Sequence, residues 1–429
     1  MKCIQRNSLA AVLAATLVAP AGAASLLPPQ NGDLVAPKAL DATVSNKRGV
    51  VLESAPLQFS WALDPTVAVE PSQPALLESK GYWLDVDAAD LRKGVRIDTS
   101  APGAVVHLSP IAGAAALRVE ALQLMQDGAA IPVSARFERS ADSVALKSAG
   151  MAVQDGSVIV QLATGLGEGE VELKSTAARG QYLLQVFEPS SEVVLEAKAD
   201  RVAAFAGGGV AVSVALQDGQ DALAFEARGQ LVGLDGEAIA LPLVRLSDGS
   251  LQGRVALPEN AGDGGALWEL QVFGGGLRDG RTVQRDIRVP VAVARPTAAL
   301  AGGLVFNPVT LRAEVGVNAA SFGRYELRAV LFATAPDGVA RPVSAAHGAA
   351  LLPAGTGTLT ISFDRAHLPA GYGAPFELRE LALKDQGRMG DLETRALAYR
   401  SEGAARVRSA APIPGPAPRL PRGASVRER

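Results

Sequence analysis

The stretch that decides the fold is Val210-Ala211-Val212-Ser213-Val214-Ala215-Leu216, in which a larger apolar residue occupies every second position. This two-residue period is that of a β-strand with one buried side. Asp218-Gly219 follows one residue later, and Asp-Gly pairs suit the positive φ angles of tight hairpins. The stretch therefore predicts an antiparallel strand that ends in a tight turn.

The same alternation, broken by further Asp-Gly pairs, recurs over most of the chain, so we expect an all-β protein. Helical patterns are confined to a short helix at 88–93, closed by Gly94, and a turn at 364–368. Gly274-Gly275-Gly276 is expected to form a hairpin. The other main strands are expected at 57–61, 158–162, 225–232, 239–246, 251–257, 267–273, 283–293 and 358–363.

At 429 residues the chain is too long for one hydrophobic core, because single cores stop growing at roughly 250–300 residues. We expect tandem immunoglobulin-like or macroglobulin-like β-sandwiches. Since aromatic residues make up only 4% of the chain, Trp61, Trp83 and Trp268 are expected to be single large core anchors. The expected divisions are a signal peptide at 1–23, an N-terminal β-sandwich at 24–200, immunoglobulin-like sandwiches at 201–296 and 297–400, and a disordered Pro/Arg-rich tail at 401–429.

The first residues have the three parts of a bacterial signal peptide. Lys2 and Arg6 precede an apolar run at 9–18, and Ala21 and Ala23 form an A-x-A cleavage site. No later segment is long and apolar enough to span a bilayer. We therefore expect an exported protein, periplasmic or secreted, with no transmembrane segment in its mature form.

Several function classes are excluded by composition and motifs. The single cysteine, Cys3, lies in the expected signal peptide, so the mature chain can form no disulfide and no thiolate site. No nucleophile elbow, phosphate loop or dinucleotide fingerprint occurs. The last thirty residues hold seven arginines against two glutamates, so the remainder is more acidic than the net charge of −3 suggests. An acidic body argues against a nucleic-acid partner.

Weak candidates for a calcium site are Asp85, Asp87, Asp90 and Asp385. β-Sandwiches outside the cytoplasm can bind calcium through loop carboxylates, but calcium needs six to eight oxygen ligands. The alternative is that Asp87 caps the short helix and Asp85 points outward from its strand. No other cofactor and no catalytic residue is indicated, since the three histidines are isolated in sequence.

Two aromatic pairs could mark a ligand surface: Tyr82 with Trp83, and Phe322 with Tyr325. Neighbours on a strand face opposite sides, so one residue of the first pair should point outward. The preferred function is binding of a protein or glycan partner. Two alternatives stay open: a carboxylate- or metal-dependent hydrolase with a site assembled between domains, and a structural spacer of the cell envelope. The oligomeric state is not indicated.

Several segments together resemble an uncharacterised family, a domain of unknown function, of secreted bacterial proteins with tandem immunoglobulin-like domains. The resemblance covers nearly the whole mature chain and implies the fold and an exported location. It transfers no catalytic residue, because its motifs are packing motifs. The second module is also similar to macroglobulin-type sandwiches, although their thioester cysteine is absent here. The segments that carry the family resemblance are Gly81-Tyr82-Trp83-Leu84-Asp85-Val86, Leu91-Arg92-Lys93-Gly94-Val95, Leu267-Trp268-Glu269-Leu270-Gln271-Val272, Gly323-Arg324-Tyr325-Glu326-Leu327 and Leu378-Arg379-Glu380-Leu381-Ala382-Leu383-Lys384-Asp385-Gln386.

Overall fold

The computed structural model describes residues 23–42, 53–70, 73–262 and 267–401, and within them the chain is almost entirely β. The expected signal peptide and tail therefore lie outside the described residues, except for Ala23 and Ser401. The strands, in chain order, are β1 Ala23–Ser25, β2 Leu57–Ala62, β3 Leu77–Ser79, β4 Gly81–Asp87, β5 Val95–Thr99, β6 Val105–Pro110, β7 Gln123–Gln126, β8 Ala129–Ala130, β9 Phe137–Asp142, β10 Val158–Leu162, β11 Gly169–Lys174, β12 Gln181–Phe187, β13 Val193–Ala199, β14 Ala203–Phe205, β15 Gly209–Asp218, β16 Asp221–Ala222, β17 Phe225–Val232, β18 Ala238–Leu241, β19 Leu243–Arg245, β20 Leu251–Ala256, β21 Leu267–Arg278, β22 Arg281–Ala294, β23 Ala298–Asn307, β24 Arg312–Ala319, β25 Gly323–Thr334, β26 Ala340–Leu352, β27 Gly355–Ser362, β28 Gly373–Asp385 and β29 Gly390–Arg400.

The helices are short and lie at the ends of strands. Asp87 caps the first of them by accepting a hydrogen bond from the Asp90 amide, and Gly94 follows its last residue, as the sequence predicted. The turn expected at 364–368 is a 3₁₀-helix capped by Asp364. The α-helices are α1 Ala88–Lys93, α2 Val133–Arg136 and α3 Ser143–Ser148, and the 3₁₀-helices are Val119–Ala121, Thr164–Leu166 and Arg365–His367.

The first sandwich packs a sheet of order β4-β12-β6-β10-β9 against a sheet of order β5-β11-β7-β8. The inward side chains of both sheets form one core, in which Tyr182, Leu91 and Ile97 are fully buried. On β12, buried residues alternate with Gln181, Gln185 and Phe187, which are exposed, as in a half-buried antiparallel sheet.

The second sandwich packs the sheet β19-β20-β15-β13-β3, with β16 paired to β15, against the sheet β14-β22-β21-β17-β18. In β15, Val210, Val212, Val214 and Leu216 are all at most 1% exposed, which confirms the orientation predicted from the two-residue period. Trp268 is a core anchor as predicted, since it is 5% exposed and its Nε1 donates to the carbonyl of Ala261 at 3.0 Å. The all-β sandwich prediction is confirmed.

The expected hairpin at Gly274-Gly275-Gly276 is wrong, because these glycines lie inside β21. The turn comes later, at Asp279-Gly280, where both residues have positive φ. A Cβ at Gly276 would lie 2.7 Å from the carbonyl oxygen of Ala224. Glycine is therefore required here because the backbone at Ala224 passes close by, and not for chain reversal.

The third sandwich packs the sheet β1-β23-β24-β27 against the sheet β2-β26-β25-β28-β29. Two of its strands come from the start of the chain: β1 pairs with β23 and β2 pairs with β26. Residues between them run along β29, where the amide of Leu27 donates to the carbonyl of Ala398 at 2.8 Å. The first and the last described residues thus belong to the same sandwich.

The sandwiches therefore do not follow the expected limits of 24–200 and 201–296 at their edges. Strand β13 pairs with β15 and buries Val193, Leu195 and Ala197 in the second core, so a division at 200 would separate paired strands. Strand β3 pairs with β13 and also belongs to the second sandwich. These placements correct the sequence-based division, which had no signal for pairings between strands far apart in the chain.

A buried ion pair joins the first and second sandwiches. The Nη1 of Arg285, on β22, lies 2.6 Å from Oε2 of Glu188, just after β12, and both side chains are 0% exposed. The same guanidinium donates to the hydroxyls of Ser100 and Ser191, at 2.7 and 2.9 Å, and to the carbonyl of Val193 at 3.0 Å. Such a shared network holds the two sandwiches in a fixed relation.

A second contact between these sandwiches surrounds Trp83. Its ring packs edge-on against Phe273 with centroids 4.9 Å apart, and the guanidinium of Arg288 lies 4.3 Å from its ring centroid. The backbone amide of Trp83, on the outer edge of β4, donates to Asp286 Oδ2 at 2.8 Å. Trp83 thus anchors an interface between sandwiches and not a core, which modifies the sequence-based expectation.

This contact predicts a pH-dependent contribution to stability. Burial raises the pKa of Asp286 to about 6, against the opposing effects of the Trp83 amide and the charges of Arg228 and Arg288. The folded protein therefore takes up a proton near pH 6 that the unfolded chain takes up only near pH 4. Relative to Asp286→Asn, the wild type should gain on the order of 2 kcal/mol of unfolding free energy as the pH falls from 7.5 to 4.5.

Urea unfolding of the two proteins at both pH values measures this difference. A wild type that gains nothing relative to Asp286→Asn at low pH, or that loses stability relative to it, would show that the carboxyl group is charged in its folded environment.

Candidate functional site

The acidic candidates for a calcium site are placed on two different sandwiches. Asp85 and Asp90 are exposed, and Asp87 is engaged as the cap of α1. Asp385 is 1% exposed in the third sandwich, where it accepts from Thr297 Oγ1 at 2.7 Å and pairs with the neighbouring Arg388. Within the described residues, no group of three or more His, Cys, Asp or Glu side chains is arranged to hold a metal ion.

The three histidines are likewise apart from one another. His107 contacts Ser109 and Gln185 on the outer side of the first sandwich, at 2.9 and 3.1 Å. His367 contacts Ser344 at 2.9 Å in the third sandwich. Neither imidazole contacts a carboxylate in the described residues. His347, in contrast, contacts Glu326.

The aromatic pairs singled out in the sequence are mainly structural. Tyr82 and Tyr325 are at most 3% exposed, and their hydroxyls donate to the carbonyls of Asp98 and Ser321 at 3.0 and 2.8 Å. Trp83 points outward from its sandwich, as alternation required, but is partly covered by the second sandwich. Phe322 alone of the four is largely exposed, at 52%.

The strongest candidate site lies elsewhere, on strand β2. Leu57, Phe59 and Trp61 project from the same side of this edge strand and are 49%, 47% and 41% exposed. His347, on β26, is the register partner of Phe59. We refer to Leu57, Phe59, Trp61 and His347 as the aromatic face.

The expectation that Trp61 is a core anchor is therefore wrong. The alternation of β2 is real, but its polar side chains face the other sheet. Ser362 donates to Gln58 Oε1 at 3.0 Å, and the amide of Asp364 donates to Ser60 Oγ at 3.1 Å. These hydrogen bonds tie the polar side of β2 to the other sheet, although Gln58 stays exposed, and the apolar side is in contact with solvent.

The rings of the aromatic face lie together in one cluster. The centroids of Phe59 and Trp61 are 5.8 Å apart with their planes at 22°, and those of Phe59 and His347 are 5.1 Å apart at 17°. Trp61 and His347 are 5.2 Å apart. Each ring restricts the others, so the cluster presents a preformed aromatic surface.

Polar side chains border these rings on one side. His347 Nδ1 lies 2.5 Å from Glu326 Oε1, and Gln386 Nε2 donates to Glu326 Oε2 at 2.7 Å. A carboxylate oxygen accepts hydrogen bonds, so an imidazole N–H is the donor that suits the first contact. Arg328 is exposed and is in register with His347 on the adjacent strand β25. The face can therefore offer apolar contact together with hydrogen-bond donors and acceptors.

Two family models match the chain. One, described as the N-terminal domain of a domain of unknown function (DUF4785), matches residues 50–188, and the other, described as the C-terminal domain of the same family, matches residues 297–400. The two together cover more than half of the sequence. The second match contains β25 and β26, and the first contains β2, so both contribute to the aromatic face.

Among solved structures, the chain is similar to a DUF4785 family protein from Legionella pneumophila. The two share 22% identity, the match covers 87% of this chain and 99% of that one, and the TM-score is 0.68. Alpha-2-macroglobulins are matched with much lower scores. The protein from Salmonella has 14% identity, 79% and 24% coverage and a TM-score of 0.22, and the one from Escherichia coli has 12%, 86% and 23%, and 0.20.

No curated protein matches the chain. In the part of the chain that the structure describes, no helix has the length and hydrophobicity needed to span a membrane.

Proposed function

This chain belongs to the DUF4785 family, and we propose that it is an exported binding protein that engages its partner through the aromatic face of the third sandwich. The main observation in support is that Phe59 and Trp61 are each more than 40% exposed and lie in contact with each other. Clustered exposed aromatic side chains are characteristic of interaction sites, because their burial by a partner is strongly favourable.

The structure around the aromatic face supports a binding role that needs no catalytic group. The aromatic face lies on paired strands, and the Glu326 carboxylate that borders it is already engaged by His347 and Gln386. Rigid elements that present an apolar surface with a polar border need no titrating group in order to bind. The partner meets a surface that requires little reorganisation.

The location is proposed from the sequence alone. The basic start, apolar run and A-x-A site within residues 1–23 support export to the periplasm or beyond. Fractionation of the native host tests this part of the proposal. Recovery of the protein from the periplasm or the medium is expected, and recovery of the full-length chain from the cytoplasm would contradict it.

Retention of envelope material by immobilised protein tests the binding surface. The full chain is compared with Phe59→Ala/Trp61→Ala and with Phe322→Ala, a matched control because Phe322 is an exposed aromatic residue elsewhere on the same sandwich. The wild type and Phe322→Ala should retain the same envelope component, and the double variant should retain at least tenfold less. Equal retention by all three proteins would refute the proposed surface.

A further inference from the structure

We infer that the ligand of the aromatic face is a neutral saccharide chain, whose sugar rings stack on Phe59 and Trp61. This inference rests on the proposed function, since it names the chemical class of the partner. The alternative occupants are a protein surface and a second copy of this chain. Size, chemical pattern and charge favour the saccharide.

The size of the apolar surface is the first reason. With Phe and Trp side chains that can bury about 150–250 Å² each, the exposed parts of Phe59, Trp61 and Leu57 offer on the order of 300 Å². A stable protein interface buries about 800 Å² on each partner, of which roughly 450 Å² is apolar. The exposed apolar surface is thus smaller than a typical protein partner or dimer buries, and it suits one or two sugar rings.

The chemical pattern is the second reason. A pyranose ring has apolar C–H faces and a rim of hydroxyl groups, so it needs a flat apolar surface with hydrogen-bonding groups beside it. Phe59 and Trp61 supply the surface, and Glu326 and His347 lie directly beside them. The carboxylate accepts from hydroxyl groups, and its bonds to His347 and Gln386 hold it in place.

Strand β26 makes room for this arrangement. Its outward side chains alternate in size as Ala345, His347 and Ala349, and these residues are in register with Trp61, Phe59 and Leu57. The two alanines are only 8% and 6% exposed. Small residues at these positions leave space beside His347 for the larger side chains of β2.

Charge is the third reason and specifies a neutral ligand. Glu326 and Arg328 bring one negative and one positive group to the border of the aromatic face. Opposite charges side by side favour neither a polyanion nor a polycation over a ligand that carries only hydroxyl and amide groups.

Calorimetric titration of the full chain with neutral oligosaccharides tests the inference. The probes are cellohexaose, maltohexaose, xylohexaose and chitohexaose, which differ in linkage and in sugar type. At least one should bind with a dissociation constant in the micromolar to millimolar range. Trp61→Ala should weaken its binding at least tenfold, Glu326→Gln about threefold, and Trp61→Phe less than threefold because it keeps a ring. Phe322→Ala should bind like the wild type.

The possible failures are distinguishable. If none of the probes binds, but envelope retention still depends on Phe59 and Trp61, the saccharide inference is overturned and the proposed function stands. If Trp61→Ala converts a dimer into a monomer in sedimentation analysis, the occupant is a second copy, and the inference is again overturned. If neither titration nor retention depends on these residues, both proposals fall.

Discussion

Replacement of Arg285 by alanine is expected to lower the free energy of unfolding by about 3–5 kcal/mol. The guanidinium is fully buried between the first and second sandwiches, 2.6 Å from the equally buried carboxylate of Glu188. Its removal would leave that carboxylate without its counter-charge in a place that water cannot reach. The hydroxyls of Ser100 and Ser191 would each lose a charged donor as well.

Urea unfolding followed by tryptophan fluorescence measures the loss, and Arg281→Ala is the matched control. Arg281 is on the same strand and pairs with Glu168, but it is 57% exposed, so its replacement should cost under about 1 kcal/mol. Glu188→Gln/Arg285→Ala should cost less than the two single replacements together, since the partners share one network. A cost below 1 kcal/mol for Arg285→Ala would contradict the buried network.

Replacement of Trp268 by alanine is expected to cost about 3–5 kcal/mol, because it leaves a cavity in the second core. Trp268 is 5% exposed, and the indole also satisfies the carbonyl of Ala261. Because each variant in this comparison lacks one tryptophan, its fluorescence signal differs from that of the wild type. Far-UV circular dichroism during urea unfolding is therefore the measurement of choice.

Trp61→Ala is the control for this prediction. It should lose binding by the aromatic face but little stability. Because Trp61 is 41% exposed on an edge strand, we expect a stability cost of about 1 kcal/mol or less. The same replacement should abolish most of the binding that the aromatic face provides. Similar stability losses in Trp61→Ala and Trp268→Ala would mean that the two tryptophans have the same structural role.

This pair of tryptophans also shows how far the sequence predicts the structure. Local patterns were sufficient for the strand at 225–232, which matches β17, and for the helix at 88–93, which matches α1. Each of these features depends on residues within a few positions of one another. Helix capping, strand alternation and glycine conformations can be predicted from such short segments of sequence.

Features that depend on distant pairings were not predictable in this way. Strand β2 pairs with β26, nearly three hundred positions later in the chain, and β3 pairs with β13. Nothing in the local sequence of either strand specifies its partner. The expected limit at 200 separates β13 from its partner β15 for the same reason, since alternation indicates a strand but not its sheet.

The candidate site was missed because alternation does not indicate which side of a strand is buried. In Leu57-Gln58-Phe59-Ser60-Trp61 the pattern predicts that the apolar residues face the core, whereas it is Gln58 and Ser60 that bond to Ser362 and Asp364 on the side of the other sheet. The available signal was that two large aromatic residues in a chain poor in them share one side of a single strand. Among the calcium candidates, Asp85, Asp87 and Asp90 are close to one another in sequence, whereas Asp385 lies in the third sandwich and is buried with its own partners.

Hydrogen exchange measured with and without solubilised envelope material tests most directly whether the aromatic face is the binding surface. If it is, bound partner should slow amide exchange in residues 57–62 and 344–349, which carry the four side chains of the face, and leave the strands of the first sandwich unchanged. Slowed exchange on the first or second sandwich, with residues 57–62 and 344–349 unaffected, would contradict it.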